Sequence, residues 1–179
     1  MGESGASAPP SGLRTGKLLA ARRSAPEERG CGVGASGWDY VVDLPEGVAA
    51  DPSAALVELR ERVLREGDFL WGDWLGPQPG TLAELDAIRQ TDEFWDEGTH
   101  SVLDVDRVVG TDQPDGEGTM RPLLPQESIE LFGTATPSRE QFTAADLFDI
   151  EIERWSGRCQ AVYDGDRPVA IGFWGVSGD

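Results

Sequence analysis

One histidine, one lysine, two cysteines, two methionines and two tyrosines are all that 179 residues offer of those types. A single histidine, His100, excludes a His-rich metal site and any mechanism that uses two imidazoles. Two cysteines, Cys31 and Cys159, make neither a disulfide framework nor a zinc site, and two unpaired thiols are expected. Cations are scarce as well: 15 Lys and Arg stand against 33 Asp and Glu, a formal charge of −18. Phosphate binding needs Lys and Arg to displace counterions, so no nucleic-acid partner is expected. No apolar run approaches the ~18 residues of a membrane span, and residues 18–21 fall short of the ~7–15 of a secretory signal. A soluble, cytoplasmic protein without a membrane partner is expected.

Recognisable reaction motifs are missing too. There is no Gly-x-Ser-x-Gly elbow, no Gly-x-x-x-x-Gly-Lys phosphate loop and no Gly-x-Gly-x-x-Gly following a strand. Residues 112–117 (DQPDGE) come nearest to a calcium loop, but Pro114 and the short length spoil it. Neither a cofactor nor a metal is expected.

What is present divides unevenly along the chain. Residues 1–37 hold 8 Gly, 5 Ser, 3 Pro and 6 Ala, with Leu13, Leu18, Leu19 and Val33 as their only Leu, Ile, Val or Phe. So little apolar surface cannot offset the entropy of ordering, which predicts a disordered tail over 1–37. The tail carries Arg14, Lys17, Arg22, Arg23 and Arg29 against Glu3, Glu27 and Glu28, a net of +2. Residues 38–179 hold 10 basic and 30 acidic groups, a net of −20, and form one domain.

Within that domain, residues 38–44 (WDYVVDL) read as a strand, being aromatic, β-branched and closed by Pro45. Asp51-Pro52 caps a helix whose stripe is Leu56, Leu59 and Val63, stopped at Gly67. Thr81 and Glu84 form a capping-box pair ahead of Leu82, Leu85 and Ile88. Residues 99–109 alternate and read as a strand; residues 125–132 read as a short helix ended by Gly133. Ser138 and Gln141 open a last helix, whose stripe Phe142, Ala145 and Phe148 runs towards Ile152, where the Ile150/Ile152 alternation would equally suit a strand. Residues 158–163 and 169–174 flank Asp164-Gly165-Asp166 as a hairpin. The whole predicts an α+β domain with a mainly antiparallel sheet of about four strands and three or four helices.

Three groups of residues could carry function. His100 beside Glu97 and Asp104 has the ingredients of a general base, so an enzyme would draw on His100, Asp104 and Asp73. Residues 68–74 (DFLWGDW) place Trp71 and Trp74 beside Asp68 and Asp73, suited to stacking, to holding a cation or to filling a core. Trp74, next to a Pro/Gly loop, is the member expected at the surface. Asp92, Glu93, Asp96 and Glu97 form an acidic run at the end of a predicted helix. Any charge-driven partner of this domain is cationic. The first expectation is therefore a small acidic protein that binds and neutralises or regulates a basic protein, a profile shared with the immunity proteins of bacterial toxin systems. The alternatives are an enzyme or ligand-binding domain with a Trp/Asp/His pocket, and a regulatory or structural protein whose acids only confer solubility.

Overall fold

The computed structural model describes residues 36–178. Strand β1 is Gly37–Asp43, with Trp38, Tyr40 and Val42 buried and Asp39 and Val41 alternating with them, the period of two that a pleated strand imposes. Helix α1, Pro52–Glu66, begins where Asp51 accepts from the Ser53 and Ala54 N–H groups and ends at Gly67 with φ 70°. Its stripe of Leu56, Leu59 and Val63 is at most 1% exposed. Helix α2, Leu82–Ile88, starts at Thr81, whose hydroxyl accepts from Glu84 N–H. The Glu84 carboxylate reaches back one residue further than a capping box requires, to Gly80 N–H. Helix α3 is the single turn Phe94–Glu97.

The alternation over 99–109 does not make a strand. Residues Val102–Asp104 form a 3-10 turn, and only Arg107–Val108, β2, joins the sheet. Ser101, Val102, Leu103, Asp104 and Val105 are all buried, polar and apolar alike. Local hydrogen bonds curl this stretch: the Ser101 hydroxyl accepts from Leu103 N–H and the Asp104 carboxylate from Thr99 N–H. Strand β3, Thr119–Pro122, had no sequence signal because four residues ending in proline are too few to show a period.

Helix α4, Pro125–Phe132, ends at Gly133 as the sequence predicts. Helix α5, Arg139–Ala144, is opened by the Ser138–Gln141 capping box but stops short of the predicted run to Ile152. Asp146 explains the early end. Its carboxylate accepts from Phe148 N–H and its carbonyl from Asp149 N–H, a turn that competes with the helix. Strands β4, Ser156–Asp164, and β5, Arg167–Val176, form the expected hairpin.

The strands lie in the order β1-β5-β4-β3-β2. β5 is antiparallel to β1 and β4, whereas β3 is parallel to both β4 and β2. The class is α+β, but among the described residues the sheet is five-stranded and mixed rather than four-stranded and mainly antiparallel, and five helices rather than three or four accompany it. The excursion through α4 and α5 between β3 and β4 supplies the long connection that parallel neighbours need.

Both faces of β5 are covered. Ile171 and Phe173 enter one core with Trp38, Tyr40, the α1 stripe, Leu85 and Phe94. Ala170 and Trp174 enter a second core with Phe132, Phe142 and Leu147. Ser36 and Gly37 belong to the fold: Ser36 C=O accepts from Ser177 N–H, and Gly37 pairs with Val176. The remainder of the expected tail lies outside the described residues. Among the described residues no helix is long and apolar enough to cross a membrane.

Candidate functional site

The loop after α1 divides its aromatic residues between core and solvent. Phe69 is buried, and Trp71 packs partly buried on the first core with its Nε1–H donating to Gly76 C=O at 3.0 Å. Trp74 opens outward from the 3-10 turn Asp73–Leu75. Its indole folds back over Gly72, where a Cβ would sit 2.2 Å from the ring, yet it stays 54% exposed. Leu70 is 51% exposed. Leu70 N–H donates to Thr99 C=O at 2.9 Å, which ties this loop to the chain just after α3.

Asp92, Glu93, Asp96 and Glu97 are all exposed, and no ion pair engages them among the described residues. Their outward placement follows from what holds α3 down. Phe94 is buried, Trp95 Nε1–H donates to Arg89 C=O at 2.9 Å, and the Trp95 ring meets Trp155 edge-on at 5.4 Å. Apolar residues at 94 and 95 are thus committed inward, leaving the carboxylates to solvent.

The groups proposed for acid–base work are separated. Asp104 is fully buried and accepts from Thr99 N–H at 2.7 Å, from Thr99 Oγ1 at 2.8 Å and from the Ser177 hydroxyl. Burial raises its pKa, and Ser177 and Thr99 only partly oppose that. His100 sits at φ 52° with Nδ1 2.5 Å from Ser36 Oγ. Asp73 lies exposed in the loop. Among the described residues no hydrogen bond joins His100, Asp104 and Asp73, and no group of His, Cys, Asp and Glu is arranged to hold a metal ion. A cleft of about 560 Å³ lies elsewhere, between Asp43, Leu44, Ser138, Arg139 and Tyr163, and an Arg139–Asp43 ion pair spans it.

Burial of cations was not foreseen from sequence. Arg60, Arg89, Arg121 and Arg158 are all at most 8% exposed. Arg60 pairs with Asp86 at 2.5 Å and Arg89 with Asp106 at 3.1 Å. Arg158 grips Asp115 through both terminal nitrogens, at 2.7 and 2.5 Å, and Arg121 grips Glu127 the same way at 2.9 and 2.7 Å. These hydrogen bonds lower the Glu127 pKa and raise that of Arg121. The consequence reaches the surface: four of the ten arginines in residues 38–179 are withdrawn from it.

The chain matches no known family, no curated protein and no solved structure.

Proposed function

We propose that this chain is a small acidic binding protein that neutralises or regulates a basic protein, held at the surface formed by Leu70, Trp74 and the carboxylates of Asp92, Glu93, Asp96 and Glu97. One observation carries the reading. Two large apolar side chains, each more than half exposed, stand on a loop that is hydrogen-bonded to the chain beside four carboxylates that no ion pair engages among the described residues. Exposed apolar groups supply contact energy and the acids supply steering, a combination that a solubility device does not need. Trp71 holds the loop from inside through its Gly76 bond. The withdrawal of four arginines leaves the surface more one-sidedly acidic than the composition alone implies.

Capture of partners from the source organism, followed by purification of the partner, tests the reading. The partner should be basic, and Trp74→Ala should weaken its binding about 30-fold, the loss of a ~2 kcal/mol anchor. Far-UV circular dichroism of the variant should be unchanged, because Trp74 fills no core. A partner of neutral or acidic character, or one whose affinity ignores Trp74→Ala, overturns the reading.

A further inference from the structure

We propose that the chain carries its own occupant for this surface: the basic segment 14–23 docks on the Leu70/Trp74 patch of the same molecule and competes there with the partner. The inference rests on reading the patch as a site for basic proteins, and adds a resident competitor to it.

Three observations converge. The first is where the chain enters the fold. Ser36 Oγ lies 2.5 Å from His100 Nδ1, and His100 directly follows Thr99, whose carbonyl receives the Leu70 N–H. Ser36, the first described residue, is thus linked to Leu70 by two hydrogen bonds and the single step from His100 to Thr99. The second is reach. Residues 24–35 can span up to ~40 Å when extended at ~3.3–3.6 Å each, ample for a surface that starts beside the anchor. The third is complementarity. Residues 4–26 contain Arg14, Lys17, Arg22 and Arg23 and no acidic residue, and Leu13, Leu18 and Leu19 are interspersed with them. Leucines among cations match exposed Leu70 and Trp74 and the exposed carboxylates of residues 92–97. Tethering then gives the segment an effective concentration of order ~1 mM, so that even an intrinsic Kd of ~0.1 mM keeps the patch mostly occupied.

The experiment uses the full chain and a fluorescent nonaarginine peptide as the cationic probe. In one variant Arg14, Lys17, Arg22 and Arg23 are all changed to Gln. At low salt this variant should bind the probe about tenfold tighter than the unaltered chain, because the tethered competitor is gone. Adding Trp74→Ala to both chains should erase that difference. A difference that survives Trp74→Ala reflects bulk charge alone and overturns the inference. Equal affinity of the two chains, with Trp74→Ala weakening both, also overturns it while leaving the proposed function standing. No probe binding to either chain removes both.

A second readout locates the segment. Cys159 is buried, with its thiol pushed up to about 12, so a nitroxide reagent would label only a cysteine placed at Ala20 in a Cys31→Ser chain. The label should broaden the amide signals of residues 70–74 and 93–97. Broadening confined to an unlabelled second copy in a mixed sample would replace docking within one molecule by exchange between two, and would overturn the proposal.

Discussion

Asp104 is more enclosed than any of the four buried arginines, and its surroundings hold one carboxylate at the junction of the 99–104 turn and the end of β5. Its pKa is higher in the fold than in the unfolded chain, chiefly through desolvation. Such a group binds its proton more tightly when folded, so it costs stability as pH rises above the unfolded value near ~3.9. Asparagine has the same shape, and can accept from Thr99 while donating to the Ser177 hydroxyl. The melting temperature of Asp104→Asn relative to the unaltered protein should therefore climb as pH is raised from about 4, followed by circular dichroism at constant salt. A difference that stays flat or falls would mean that the hydrogen bonds and Arg89 outweigh desolvation. Asp115 answers to a different rule. Asp115→Ala takes from Arg158, 3% exposed, the carboxylate that grips both its terminal nitrogens, and urea denaturation should show a loss of about 3–5 kcal/mol. Gly98 is fixed twice over, by φ 69° and by the Trp155 ring, 2.3 Å from where its Cβ would stand.

Between residues and sheet, elements with chemical punctuation at their ends were legible and those without it were not. Asp51, Pro52 and Gly67 bound α1 in sequence and in structure, and the interval of three and four between Leu56, Leu59 and Val63 is its buried face. Leu59, with no exposed surface, packs among the first core, and Leu59→Ala should lower unfolding free energy by ~2–5 kcal/mol. A loss under ~0.5 kcal/mol would place that face in solvent. β1 and the β4–β5 hairpin were legible for the same reason, since period two and the Asp164-Gly165-Asp166 turn are local. β2 and β3 are short and pair in parallel, without a hairpin turn to mark them, so nothing near them announces it. The candidate site divides likewise. Trp74 was readable as a surface residue from its Pro/Gly neighbours, and the acids from their run. Exposure of Leu70 was not readable, because apolar character argues for burial until the long-range bond to Thr99 is known.

At the scale of the molecule, composition sets the far field and folding redistributes it. Residues 38–179 carry a net of −20, and burying four arginines beside their own acids leaves a surface on which carboxylates predominate. Such a field speeds encounter with a cationic protein and slows encounter with nucleic acid. Salt shortens its range from ~10 Å at 0.1 M to ~3 Å at 1 M, so association with the proposed basic partner should slow steeply across that interval. Dissociation, which close contacts such as the proposed Trp74 anchor would govern, should change far less. Changing Asp92, Glu93, Asp96 and Glu97 together to Asn and Gln separates field from anchor, because all four side chains are exposed and unpaired among the described residues. In stopped-flow measurements the quadruple variant should associate more slowly and lose part of its salt dependence, while its melting temperature stays near that of the unaltered chain. Trp74→Ala should do the reverse, raising the off-rate and leaving the on-rate nearly intact. If the on-rate ignores both salt and the quadruple change, the acids serve solubility alone, and the regulatory or structural reading takes the place of the binding one.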